Sequence, residues 1–247
     1  MIGRLLTAVL LSGVLAGVLI SVVHEFTTTP IILHAELYEG GGGEADHATL
    51  IWTDEVAGGQ FYLVHGDEVH EDGEEAWGPQ DGFERSLFTL LSNVITGVAY
   101  AALLVAAFYL RGREVDGRTG LMWGVAGFVV FALAPGMGLP PEVPGAMASE
   151  IGGRQTWWAF AAAGTAAGLW LLLLVKKLPF NVLGFVLLVL PHVVGAPQPA
   201  ELGGPVPPEL SAHFASASLG AGLVFWALLG WIAGLSYERF VTRASTA

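Results

Sequence analysis

Six apolar stretches constrain this chain more than any other feature. They fall near residues 5–25, 86–110, 119–139, 156–175, 178–196 and 211–235. A helix rises 1.5 Å per residue, so runs near ~20 residues cross the ~30 Å hydrocarbon core of a bilayer. The remaining composition agrees. The chain is 53% hydrophobic and 13% charged, where a soluble domain carries about 25% charge. The expectation is an all-α integral membrane protein, a single polytopic bundle of about six transmembrane helices embedded in the lipid bilayer. The segment Leu5–Val23 behind Arg4 superficially resembles a signal peptide. It is longer than a usual apolar signal region and lacks a clear small-x-small cleavage site, so it reads as an uncleaved first span. The fifth run opens at Pro179, contains Asn181 and carries Pro191 near its far end. A proline-kinked span remains acceptable in a bundle whose neighbours satisfy the freed carbonyl.

The basic residues orient the bundle. Arg4, Arg111, Arg113, Arg118, Lys176, Lys177, Arg239 and Arg243 fall on one side of a six-span path, and only Arg85 and Arg154 fall on the other. Such a bias marks the cytoplasmic side, which places both termini in the cytoplasm of a multi-pass cell-membrane protein. Residues 36–85 then form one long extracellular loop, acidic and histidine-containing. No Lys or Arg occurs between Arg4 and Arg85. Within this loop, 49–53 and 60–64 flank Gly58-Gly59 with strand-like composition and suggest a hairpin, and 66–82 reads as extended or disordered. Gly13/Gly17, Gly164/Gly168 and Gly230/Gly234 recur at helical spacing. Such pairs let helix backbones approach closely, within one bundle or between the copies of a homo-oligomer.

All seven histidines fall on the outer side of this topology: His24, His34, His47, His65, His70, His192 and His213. With no cysteine in the chain, disulfides, thiolate metal sites, Fe–S clusters and Cys nucleophiles are excluded. Imidazole with carboxylate is the remaining donor set for a transition metal. The loop offers such clusters at His34-Ala-Glu36, His65-Gly-Asp67-Glu68 and His70-Glu71-Asp72. Acids of this kind equally keep a surface hydrated in high salt. Polar groups at membrane depth are more informative, because burying them is costly. Helical rise places His192 about 10 Å, His213 about 7 Å and Asn93 about 12 Å below the outer surface. His24 and Glu25 end span one at a similar level. Hydrogen-bonded packing accounts equally for any one of these histidines. The chain has no phosphate-binding Gly-x-x-x-x-Gly-Lys loop, no His-Glu-x-x-His and no Gly-x-Ser-x-Gly, so no enzyme is expected. A net charge of −12 likewise speaks against nucleic acid as a partner.

Five motifs in order add to this reading. They are Pro30-x-x-Leu33-x-Ala35-Glu36-x-Tyr38-Glu39, Glu84-Arg85-x-Leu87, Leu139-Pro140-Pro141-Glu142-x-Pro144-Gly145, Arg154-Gln155-x-Trp157-Trp158 and Pro191-His192-x-x-Gly195-Ala196-Pro197. On these the chain resembles the CbtA family of membrane proteins, regarded as cobalt transporter subunits, over nearly its whole length outside about 40–80. The acidic loop and scarce lysines suggest a haloarchaeal member. The resemblance implies cobalt uptake for cobalamin supply, a small single-span CbtB-type partner, and five spans where the apolar runs give six. It carries Glu36, Glu39, Glu142, Arg154 and His192 forward as residues of interest.

The expected function is therefore membrane transport of a divalent cation, Co²⁺ favoured and Ni²⁺ also suited, with no tightly bound cofactor. Candidate metal ligands are His192, His213, His24, Glu25, His34, Glu36 and Glu142, with Asn93, Glu39 and Arg154 as further pathway residues. Two alternatives stay open: a metal-capturing accessory subunit with no pore of its own, and a b-type haem electron-transfer protein using His192 and His213 as axial ligands.

Overall fold

A computed structural model describes residues 1–38, 79–80, 82–175, 177–199 and 203–243. Residues 39–78, which include Glu39 and the expected hairpin, lie outside the described residues, as does nearly all of the stretch expected to be extended. Among the described residues every element is a helix. We number them α1 Ile2–Phe26, α2 Thr28–Glu36, α3 Phe83–Arg111, α4 Gly117–Gly136, α5 Ile151–Val175, α6 Leu178–Val194 and α7 Pro208–Thr242. Five of them, α1, α3, α4, α5 and α7, are long and apolar enough to cross a membrane, and α6 is a shorter apolar helix of 17 residues. Seventeen residues span about 25 Å, the lower end of what a bilayer requires. Directly after α6, Ala196 sits against Gly138 and Pro197 against Gly153, at the start of α5. The α6 helix thus retraces the height of α5 antiparallel to it, which reconciles five long helices with six apolar runs.

The core is a four-helix arrangement of α1, α3, α4 and α7, with the α5–α6 hairpin attached through α5. Glycine seams draw the main pairs together. A Cβ placed on Gly13 would lie 2.5 Å from the Val98 Cα, and one on Gly17 would lie 2.6 Å from the Val94 Cα, so α1 touches α3 backbone to backbone. In the same way Gly120 and Gly124 of α4 meet Gly230 and Gly234 of α7, and Gly164 and Gly168 of α5 meet Gly184 and Leu187 of α6. All three expected glycine pairs are therefore spent on packing within one chain. Aromatic rings fill the space beside the α4–α7 seam. Phe131 stacks on Trp226 at 5.6 Å, and Tyr100 lies 4.6 Å from the same indole.

Local chemistry sets the helix ends. Gly112 takes φ +63° after α3, the left-handed cap that stops a helix. Asp116 accepts from the Thr119 N–H at 2.8 Å to start α4, and Glu150 accepts from the Gly152 and Gly153 N–H groups to start α5. In α4 a π-helical turn, Val129–Leu133, precedes the buried Pro135, which has no N–H to donate back along the helix. The last turn of α7 packs against α1, while its first turns, with Leu210 and Phe214, pack on Ile31 and Ala35 of α2. Hence α1 and α7 run antiparallel, and the start of α1 and the end of α7 lie at one end of the bundle. The opposite end is capped by α2, Val143 and Val206.

Candidate functional site

The capped end holds two neighbouring pockets, and five of the candidate residues line one or the other. The smaller is a pocket of about 240 Å³ between the end of α1, the start of α2, the first half of α3 and α7. His24, Glu25, Thr28, Arg85, Thr89 and Asn93 line it, with Ser218 from α7. The backbone turns at Thr27 (φ −120°, ψ −72°), which ends α1 and lets α2 start in a new direction. That turn puts Thr28 back over His24, whose Nδ1 is 2.6 Å from the Thr28 hydroxyl. With Nδ1 engaged, Nε2 is the ring nitrogen left for a ligand. Asn93 is fixed by donating Nδ2 to the Ser21 hydroxyl at 3.0 Å, and Ser21 donates to the Gly17 carbonyl at 2.8 Å. This chain of bonds ties α3 to α1 one turn below His24.

The larger cleft, about 490 Å³, lies beside the π turn of α4, whose Phe131 and Ala132 line it. Phe131, Pro135, Leu139, Pro141 and Trp158 make it mostly apolar, and Glu142 and Arg154 supply its charge. Ser218 lines this cleft as well, so α7 separates the two pockets.

Both arginines at the capped end carry a carboxylate. Arg85 grips Glu36 with two guanidinium nitrogens, Nη1 to Oε2 at 2.9 Å and Nη2 to Oε1, joining α3 to α2. Arg154 donates to Glu142 at 2.6 Å, joining α5 to the loop before it. Each partner is roughly 30% exposed; pairs in such positions are worth about 0–1 kcal/mol. Glu150, exposed at the α5 N-terminus, is held below the usual carboxylate range by the Gly153 and Gly152 N–H groups. Asp116 is lowered likewise, by the Thr119 hydroxyl and N–H, at the start of α4.

His24, Glu25 and Asn93 are thus brought together, and Glu142 and Arg154 meet in the second cleft. The other candidates sit apart. His192 packs edge-on to Trp157 at 6.0 Å, beside the bond from the Trp157 indole to the Pro191 carbonyl. His213 and His34 are exposed, the latter 5.8 Å from the Tyr38 ring. Glu36 reaches the first pocket only through Arg85. Among the described residues no group of three or more His, Cys, Asp and Glu lies close enough to hold a metal ion. The seven expected ligands therefore do not form one site in this arrangement. The reading from sequence passed over Thr28, Thr89 and Ser218; hydroxyls in apolar helices are too common for composition to single them out.

Comparisons with known proteins give one positive finding. A search of curated proteins and a search of solved structures returned no match. Residues 2–238, nearly the whole chain, match the model of a family described as "Probable cobalt transporter subunit (CbtA)". A multi-pass helical bundle with a histidine-bearing polar pocket at one end suits such a subunit, and the chain belongs to the CbtA family.

Proposed function

We propose that this chain captures a divalent transition-metal cation, Co²⁺ foremost, at the outer face of the cell membrane for uptake into cobalamin synthesis. The carrying observation is the pocket where His24 and Glu25 meet Asn93 and five hydroxyl side chains at one end of an apolar bundle. Imidazole and carboxylate suit Co²⁺ and Ni²⁺ alike. The end that holds the pocket carries two arginines, both paired, while the terminal end carries Arg4, Arg111, Arg113, Arg118, Lys177, Arg239 and Arg243. That bias supports a cytoplasmic terminal end and an outward pocket. A membrane potential of 100 mV, negative inside, would favour inward movement of a divalent ion by about 4.6 kcal/mol.

Several features favour capture over autonomous conduction. The buried polar side chains among the described residues are all hydroxyls: Ser12, Ser21, Thr28, Thr165 and Ser236. Ser12 and Ser21 donate to carbonyls of their own helix, and backbone contacts close the α1–α3 and α4–α7 seams. Among the described residues, the half of the bundle beyond Asn93 offers an ion no carboxylate or imidazole buried in its interior. Two metal donors in the pocket also fall short of a complete ligand set. A second subunit, a CbtB-type single span or another copy of the chain, supplies the missing ligands and the path.

Purified chain in proteoliposomes tests this directly with Co²⁺. Saturable binding that His24→Ala weakens at least tenfold, without Co²⁺ flux by the chain alone, is the expected result. Sustained flux through the chain alone would refute the need for a second subunit, and absence of binding would refute capture.

A further inference from the structure

Two consecutive threonines close the junction between α1 and α2, and they use their hydroxyls differently. Thr27 donates its hydroxyl to the Val23 carbonyl at 2.7 Å and its N–H to the His24 carbonyl at 3.2 Å. Both bonds run back into the last turn of α1, so the junction is pinned. Thr28, the first residue of α2, is thereby carried over the ring of His24, four positions earlier. Its hydroxyl does not go to the backbone. It lies 2.6 Å from His24 Nδ1, close enough for one firm hydrogen bond. Thr28 is 4% exposed, so bulk water does not compete well for this contact. Both residues line the pocket that Glu25 and Asn93 share.

A neutral imidazole carries one proton, and only its bare nitrogen can bind a cation. With Thr28 over Nδ1, an ion entering the pocket meets Nε2, which must then be the bare one. The proton sits on Nδ1, and a threonine oxygen is able to accept it because a hydroxyl turns to donate or to accept. We propose that Thr28 is a positioning residue for the cation site, its hydroxyl fixing the His24 ring with the proton on Nδ1 and Nε2 left for the ion. This rests on reading the pocket as the cation site and adds the group that readies its imidazole. Metal-binding histidines commonly anchor their second ring nitrogen in this way, on a carboxylate, a carbonyl or a water. Here an uncharged hydroxyl takes that place.

Equilibrium binding of Co²⁺ to the purified full chain in lipid nanodiscs tests this with wild type, Thr28→Val, Thr28→Ser and His24→Ala. Valine keeps the branched shape and removes the hydroxyl, and serine keeps the hydroxyl. Thr28→Val is expected to weaken binding about 10–100-fold, the usual cost of losing such an anchor, and Thr28→Ser to stay near wild type. Nitrogen NMR of chain with isotope-labelled histidine, using diamagnetic Zn²⁺ in place of Co²⁺, reads which ring nitrogen holds the metal. The His24 signals are those lost in His24→Ala. The expected result is metal on Nε2 and the proton on Nδ1 in wild type, with the two nitrogens mixed in Thr28→Val. The inference is overturned if Thr28→Val binds Co²⁺ as tightly as wild type, if Thr28→Ser binds as weakly as Thr28→Val, or if the metal sits on Nδ1. In each of those cases loss of Co²⁺ binding in His24→Ala leaves the cation pocket standing. Should wild type not bind Co²⁺, or bind it no better than His24→Ala, the pocket reading fails and the inference with it. Circular dichroism of each variant separates a lost fold from a lost site.

Discussion

Replacing Gly230 by alanine should loosen the central seam of the bundle. A methyl group there would lie 2.6 Å from the Gly124 Cα and closer still to the Gly120 carbonyl oxygen, whereas an ordinary contact begins near 3.4 Å. The helices α4 and α7 must therefore part by about 1 Å at this point, because both groups met are backbone and neither can rotate away. A radial gap of ~0.5–1 Å forfeits a quarter to a half of each dispersion contact along the seam. Overpacking of this kind costs about 1–3 kcal/mol, and alanine's better helix propensity returns up to about 1 kcal/mol. The expected net loss is about 1–2 kcal/mol. Gly220 lies on the same helix, and a methyl there meets nothing within 4 Å, so Gly220→Ala is the matched control, expected to be neutral or mildly stabilising. Unfolding in mixed micelles by increasing sodium dodecyl sulfate, followed by tryptophan fluorescence, reads both; Trp226 sits against this seam. Equal stability of Gly230→Ala and wild type, or an equal loss in Gly220→Ala, would refute backbone contact as the force that closes α4 on α7.

Three further outcomes follow from the same contacts. Asn93→Leu removes the bond to Ser21 and should destabilise the same unfolding transition by about 0.6 kcal/mol, the average for such interhelical bonds in membranes; a loss above about 2 kcal/mol would show that Asn93 does more than tie two helices. Because folding lowers the Glu150 carboxyl below its ordinary value, its cap contribution is full above the unfolded pKa and fades as pH falls through the folded one. Amide-exchange protection at Gly152 and Gly153 should therefore drop as pH falls below the ordinary carboxylate range in wild type, and be low at every pH in Glu150→Ala; protection independent of pH would contradict the cap. His192→Ala should leave Co²⁺ affinity within about twofold and cost about 0.5–1.5 kcal/mol of stability through the lost Trp157 contact. A collapse of affinity would put His192 back among the ligands.

Hydropathy made the spans legible because lipid demands long apolar helices whatever they pack against. It could not show how far α6 falls short of the rest, since Pro191 and His192 only blur its end. The glycine spacings were legible as close-packing signals, yet spacing alone does not name a partner. That Gly230 faces Gly124 across a hundred residues depends on three-dimensional docking. The same limit governs the site. Helical rise gave depth, and depth grouped His24, Glu25 and Asn93 with His192 and His213; only the first three line one pocket. Depth says nothing of rotation, and rotation turns His213 outward and sends His192 to Trp157. The α2 helix, broken from α1 at Thr27, went unread because Thr27-Thr28-Thr29-Pro30 has no helical periodicity and the following segment is short. With it went the Glu36–Arg85 pair, formed by residues 49 positions apart.

The central claim is that His24, in the pocket between α1, α3 and α7, receives the ion, and that His192 does not. Cellular metal content by mass spectrometry tests this most directly. Cells lacking native cobalt importers would express the chain with its partner subunit as wild type, His24→Ala or His192→Ala, at equal membrane levels and with trace Co, Ni, Zn and Mn in the medium. The account predicts selective cobalt accumulation that His24→Ala abolishes and His192→Ala preserves. Accumulation lost in His192→Ala and kept in His24→Ala would contradict it.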